Sequence, residues 1–231
     1  MDDMYSSEWF ETFAATVPAE LTAADVDGIA AIVPVDGYPR LLDVGCGIGR
    51  VAAPLAARGY AVTGIDVNVE ALTRAARSAP GPRYVALDQR HIGRLRWQFD
   101  AAVLLWNSLG FAGRGADLET VSGVAAVLRP GGTAVFDLYH PEWLSRNERA
   151  GETDPRGASV RRWMRDRRCF HEIRYASGRV DDIQFDVYAP DEIADLARRA
   201  GLVPDTQMVR WNPAERPSAD APRYQFACSR R

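Results

Sequence analysis

The feature that most limits the folds open to this chain is a regular exchange of short apolar runs with helix-length amphipathic segments. Runs at 40–44, 60–65, 83–87, 100–106 and 132–138 read as strands, and 49–58, 68–78 and 115–128 between them read as helices. Strands joined through helices need crossover connections, which are almost always right-handed, so these strands lie parallel in one sheet. The stretch Ala101-Ala102-Val103-Leu104-Leu105 is apolar on both faces, as a sheet covered by helices on both sides requires. Two helical patterns precede the first strand, roughly 8–17 and 22–33, the second opened by Thr22 as its cap with Asp25 three positions on. Pro34 and Pro39 then break the chain. After residue 140 the pattern changes. A polar, arginine-rich stretch to about 157 leads into two period-two runs, 159–175 and 179–188, around Ser177-Gly178, which read as an antiparallel hairpin added to the sheet. A helix over 191–200, stopped by Gly201, and strands at 203–210 and 223–229 end the chain. The expectation is one α/β domain over 1–231, with 1–37 as a helical lid and 141–188 as an insertion covering a substrate.

A chain of 231 residues fills one such domain and buries a core of ordinary size. Its net charge of −3 provides no global positive field to attract nucleic acid or an anionic membrane. All 28 basic residues are arginine, which removes every mechanism that needs a Schiff base or a lysine base. Cys46, Cys169 and Cys228 are far apart and form no CxxC pair, which points to a reducing cytoplasm. The start, Met1-Asp2-Asp3-Met4-Tyr5, is acidic and lacks the apolar core of a secretion signal, and no apolar run reaches the roughly 20 residues of a membrane span. A soluble intracellular protein, monomeric or homodimeric, is expected.

The most informative segment is Asp43-Val44-Gly45-Cys46-Gly47-Ile48-Gly49. A glycine-rich turn from the first strand into a helix lets a cofactor approach the backbone, with the helix N-terminus aimed at it. A dinucleotide fingerprint would read GxGxxG and leave space for a pyrophosphate. Here the spacing is GxGxG, and Asp43 stands two positions before the first glycine. That carboxylate would repel a pyrophosphate but suits the ammonium group of an amino-acid ligand. Val62-Thr63-Gly64-Ile65-Asp66 ends the second strand in a second acidic residue, 21 positions after Gly45. Asp66 alone would fit a nicotinamide enzyme equally well; the pair Asp43 and Asp66 decides against one.

Across roughly 38–140 the chain resembles the class I S-adenosylmethionine-dependent methyltransferases, whose fold is a Rossmann-like, doubly wound, mostly parallel sheet with an antiparallel last strand. The resemblance implies S-adenosylmethionine as cofactor. Asp43 would hold its ammonium, the Gly45, Cys46, Gly47 and Gly49 loop would border it, and Asp66 with Val67 would take the ribose. Asp88 and Gln89, ending the third strand, would meet the adenine, unless Asp88 is only a turn residue. Leu128-Arg129-Pro130-Gly131-Gly132 matches the family's turn before the fifth strand. Leu105 and Trp106 would border the methionine half, and Tyr5 and Trp9 would fold over the cofactor.

The methyl acceptor is expected at the carboxyl ends of strands four and five, next to Asn107, whose carbonyl could accept from a polarised nucleophile, and His140, a general base or a strand-end cap. His91 and His171 rank below His140, since the first falls in a surface loop and the second on the hairpin. Trp106, Phe111, Tyr139, Trp143, Trp163 and Arg223 are expected to line the acceptor space. Seven arginines between Arg156 and Arg174 either grip an anionic group of the acceptor or sit on a wet face. Trp-Asn-Ser after strand four leaves no oxygen cage for a metal. The reading is therefore metal-independent methyl transfer to nitrogen or oxygen of a small molecule, in specialised metabolism. A peptide or protein acceptor is the alternative, and a nicotinamide oxidoreductase a more distant one.

Overall fold

The computed structural model describes residues 5–231; Met1 to Met4, at the head of the expected lid, lie outside the described residues. Two short helices come first, α1 (Ser7–Thr12) and α2 (Ala19–Ile32). Ser6 caps α1, its Oγ accepting from the Trp9 N–H at 3.2 Å. Helix α2 begins at Ala19 with Pro18 rather than Thr22 as its N-cap, because the proline presets the entry dihedral and its missing N–H costs nothing there. Thr22 lies inside α2 and accepts instead from Arg50 Nη1 at 3.1 Å.

The alternating part follows as β1 (Arg40–Val44), α3 (Ala52–Ala57), β2 (Ala61–Asp66), α4 (Val69–Ser78), β3 (Arg83–Ala86), β4 (Phe99–Leu104), α5 (Arg114–Val127) and β5 (Leu128–Tyr139). The chain closes with α7 (Pro190–Arg199), β10 (Val203–Met208) and β11 (Arg223–Ser229). Seven strands form one sheet in the order β10-β11-β5-β4-β1-β2-β3, in which β11 pairs antiparallel to both neighbours. The doubly wound, mostly parallel sheet read from the sequence is the observed one. Alternate residues serve the two faces. Leu42, Leu104 and Phe136 pack towards α5 and α7, whereas Leu41, Val103 and Val135 pack towards α2 and α3.

The insertion differs from the expected hairpin. Helix α6 (Pro141–Arg146) leads into β6 (Arg149–Thr153), β7 (Ser159–Arg165), β8 (Arg168–Arg174) and β9 (Val180–Asp186), a separate antiparallel sheet of four strands. The run 159–175 is two strands folded at Asp166, whose φ of +53° supplies the left-handed residue of the turn. An aspartate tolerates that region by local hydrogen bonding, so the turn needs no glycine. The turn at Ser177-Gly178 joins β8 to β9 as expected. This second sheet has an apolar cluster of its own (Leu144, Val160, Cys169, Ile173, Ile183, Phe185), against which Tyr5, Trp9, Phe13, Phe111 and Tyr139 pack.

Candidate active site

The carboxyl ends of β1, β2, β4 and β5 form the floor of a cavity of about 450 Å³, roofed by α1 and the four-stranded sheet. At one end stands the glycine loop. Gly45 and Gly47 face the cavity with φ of +72° and +51°. A Cβ on Gly45 would lie 2.6 Å from Ser108 Oγ, and one on Gly47 would lie 3.0 Å from Phe10 Cε1, so neither position admits a side chain without displacement. Asp66 sits beside the loop, where one carboxylate oxygen accepts from the Gly47 N–H at 2.8 Å and the other from Asn68 N–H at 2.9 Å. Val67, Gln89, Leu105 and Asp88 continue this wall. Asp88 also performs the turn role, pairing with Arg90 Nη2 at 2.6 Å and accepting from the Arg90 N–H, and that guanidinium holds its carboxyl below the ordinary range.

Asp43 stands behind the loop, only 4% exposed. Burial pushes its pKa up to about 7, with the Asp66 charge adding to the rise and Arg50 opposing it. A buried carboxylate of this kind gains most from a neighbouring ammonium, the group an amino-acid cofactor would bring. Asp43, Cys46 and Gly49, expected at the cofactor, do not line the cavity. The Cys46 side chain packs against Gly64, and Gly49 is held free of a side chain by the Tyr84 hydroxyl.

At the other end of the floor, Trp106 and Asn107 turn the chain out of β4, both in the left-handed region at φ of +52° and +63°. Asn107 lines the cavity but is 2% exposed, and both ends of its amide hold backbone. Its Oδ1 accepts from Tyr139 N–H at 3.2 Å and its Nδ2 donates to Leu109 O at 3.0 Å. It braces the ends of β4 and β5 against each other, and its carbonyl is already engaged. Trp106 donates through Nε1 to Asp25 at 3.0 Å and carries the guanidiniums of Arg50 and Arg223 at 4.3 and 5.5 Å from its ring. Arg223 lines the cavity with its charge committed to Asp137 at 2.5 Å, and it covers the Tyr139 ring at 4.6 Å.

The roof brings in Tyr5, Trp9, Phe111 and Tyr139, all facing the cavity as expected. Tyr5 and Trp9 are 4.0 Å apart, Tyr5 meets Phe111 edge-on at 5.6 Å, and Phe111 leans on Phe185 at 5.4 Å. Asp181 ties α1 to the roof by accepting from Ser6 Oγ at 2.6 Å and Tyr175 Oη at 2.8 Å. Asn68 Nδ2, donating to Tyr5 O at 3.2 Å, ties it to the cofactor side.

Three further expectations change. His140 does not line the cavity. It precedes α6, 7% exposed, with its ring edge-on to Tyr224 at 6.1 Å, and its backbone N–H donates to Pro222 O. It is a strand-end residue, and burial lowers its pKa. Trp163 points to the opposite face of the second sheet, stacked on Phe170 at 5.4 Å under Arg161, because period-two alternation sends 163 away from the side that 160 and 162 share. Trp143 backs the cavity wall from α6, with Arg162 over its ring at 5.2 Å, without reaching the space itself. His171, ranked below His140 in the sequence, lines the cavity together with Arg149, Arg156, Arg162, Val160 and Ile173. A signal for them does exist: Arg162 falls in phase with Val160 and Met164, and His171 with Cys169 and Ile173, so polar residues occupy the inward positions of period-two strands. His91 stays outside the cavity. Among the described residues no group of three or more His, Cys, Asp or Glu side chains is placed to hold a metal, and no helix is long and apolar enough to cross a membrane.

A glycine cradle, an acidic residue ending each of the first two strands and an aromatic roof define an α/β protein that binds an amino-acid nucleoside. Residues 41–132 match the family model described as a methyltransferase domain. Over that span the chain is similar to methyltransferase domains, and solved structures that share its fold are S-adenosylmethionine-dependent methyltransferases. YqeM of Bacillus subtilis (strain 168) is 36% identical over 115 residues, 48% of this chain and 46% of that one. The chain thus spans about half the length of such curated relatives. Among solved structures, a S-adenosylmethionine-dependent methyltransferase from Clostridium acetobutylicum ATCC 824 superposes with a TM-score of 0.78 at 17% identity, covering 96% of both chains. CalS10, an amino pentose methyltransferase from Micromonospora echinaspora involved in calicheamicin biosynthesis and solved with its cofactor bound, superposes with a TM-score of 0.72 at 23% identity over 100% of both chains. Both likenesses confirm the fold.

Proposed function

We propose that this protein methylates a nitrogen or oxygen of a small-molecule acceptor held under the four-stranded sheet, without a metal, in a pathway of specialised metabolism. The observation that carries the reading is a single cavity with two unlike ends. One end has Gly45, Gly47, Asp66 and Asp88; the other has Tyr139, Arg162, His171 and Phe185. Bound S-adenosylmethionine would supply an electrophilic methyl group where the two ends meet. Asp43 would take its ammonium and Asp66 its ribose hydroxyls, while Leu105 and Trp106 would flank the methionine portion. The chain's own task is positioning: holding two reactants in line is worth ~7–11 kcal/mol of barrier. Tyr5, Trp9 and Phe111 cover the meeting point and exclude water, which strengthens every polar contact beneath them. The amino pentose acceptor of CalS10 supports the small-molecule choice, and so does the cavity's volume of about 450 Å³.

The test has two stages. Calorimetry should show S-adenosylhomocysteine binding and no binding of NADH, with affinity falling about tenfold or more in Asp66→Ala, the scale of a lost charge-assisted hydrogen bond. Radiolabelled methyl transfer from S-adenosylmethionine is then assayed against small amines, small alcohols and a peptide mixture. Label in the peptides alone would reject the small-molecule reading.

A further inference from the structure

The inward face of the second sheet carries a row of polar side chains across three strands. Arg149 on β6 stands directly opposite Arg162 on β7, which stands directly opposite His171 on β8, with Ile183 of β9 ending the row. All three polar members line the cavity. Like charges directly opposite each other in a sheet repel and are ordinarily avoided. Here no carboxylate offsets them: among the described residues none lies within ion-pairing distance of Arg149 or Arg162, and Arg162 has only the Trp143 ring and the Asn147 carbonyl against its charge. The neighbouring arginines differ in this respect: Arg156, Arg168 and Arg223 pair with Asp154, Asp186 and Asp137.

Arg162 is the most unusual of the three. It is 8% exposed, its Nε is buried without a hydrogen-bond partner among the described residues, and its Nη2 donates to the Asn147 carbonyl at 2.5 Å. An arginine more than nine-tenths buried, lining the cavity with a donor unused, is costly unless an anion arrives. His171 Nε2 is likewise buried and unpartnered. Burial, with Arg162 and Arg149 adding to it, holds the His171 pKa down to about 4, so the ring is neutral and offers hydrogen bonding without a third charge.

We propose that the acceptor carries an anionic group, a carboxylate or a phosphate, that docks between Arg149 and Arg162 with His171 beside it. The acceptor's anion then anchors one end of the molecule in the roof while its nucleophile reaches the floor. This rests on the methyltransferase reading of the cavity and adds the chemical class of the substrate. Arg162 supplies a planar pair of donors suited to either oxyanion, and the more exposed Arg149 closes over it at the sheet edge.

The experiment uses the full chain saturated with S-adenosylhomocysteine, titrated calorimetrically with inorganic phosphate, pyrophosphate and succinate. Wild type, Arg162→Met, Arg149→Met and, as a control, Arg174→Met are compared; Arg174 lies on the outer face of β8 and pairs with Glu172. The expected result is anion binding to wild type and to Arg174→Met, weakened about tenfold or more in Arg162→Met and in Arg149→Met. Tighter binding of the phosphates than of succinate assigns a phosphorylated acceptor, and the reverse order assigns a carboxylate. If no anion binds wild type, or if all four proteins bind the anions alike, the proposal is overturned. Should Arg162→Met fail to fold, Arg149→Met, altered at an exposed edge position, decides alone. Failure of S-adenosylhomocysteine to bind in the first step would instead reject the cofactor reading, so the two failures are separable.

Discussion

Asn in place of Asp43 isolates the electrostatics of the site. In the unliganded protein burial raises the Asp43 pKa from 3.8 to about 7. At 1.36 kcal/mol per tenfold change in the ionisation constant, that rise is worth about 4 kcal/mol. The sign follows from linkage. A carboxyl whose folded pKa lies above its unfolded one contributes stability that is present below about 4 and is lost as pH rises through about 7. Above neutrality the unliganded protein therefore carries an ionised buried carboxylate at its own expense. Asp43→Asn keeps the shape and removes the titration. Urea unfolding of both proteins from pH 5 to 8.5 should show wild type losing stability relative to the variant by about 3 kcal/mol across this window, the rest of the loss falling between pH 4 and 5. S-adenosylhomocysteine should reverse the order, binding wild type more tightly than the variant at pH 8, because its ammonium offsets the charge. Two stability profiles that run parallel with pH would refute the burial argument. Equal affinities for S-adenosylhomocysteine would remove Asp43 from the ammonium.

Gly47→Val places branched atoms against Phe10 at a φ of +51°, and the expected outcome is native-like circular dichroism with cofactor binding lost. Asp181→Ala removes the acceptor shared by Ser6 and Tyr175; faster proteolysis within 5–18 and weaker S-adenosylhomocysteine binding should follow, and an unchanged digestion pattern would show that the lid is held elsewhere. His140→Ala should lower melting temperature by removing a buried ring packed on Tyr224, yet change the single-turnover methyl-transfer rate less than threefold, since the residue lies outside the cavity.

The floor of the site was legible in the sequence because it depends on local rules. The GxGxG turn, Asp43 and Asp66 sit at strand ends that apolar runs and helix-length spacings locate, while Val67, Asp88, Gln89, Leu105 and Trp106, which line the cavity, were placed by the family resemblance. The roof was much less so. Its strands are short and arginine-rich, β6 is exposed along its whole length, and the turn at Asp166 carries none of the glycine or proline signals that separate two strands. The ranking of His140 above His171, of which only His171 lines the cavity, has the same origin. Position after a strand end was visible in one dimension, whereas the inward phase of His171 becomes decisive only once β7 and β8 are paired.

The two sheets meet the cavity from opposite sides and come from separate stretches of chain. The proposed cofactor contacts belong to segments before residue 140, and the row of Arg149, Arg162 and His171 belongs wholly to the 141–188 segment, which closes around its own apolar cluster. Acceptor choice can therefore be rewritten without disturbing the cofactor's seat: exchanging β6 to β9 as a cassette, with Ser6 and Asp181 retained as the joint, should redirect the enzyme to acceptors of different charge.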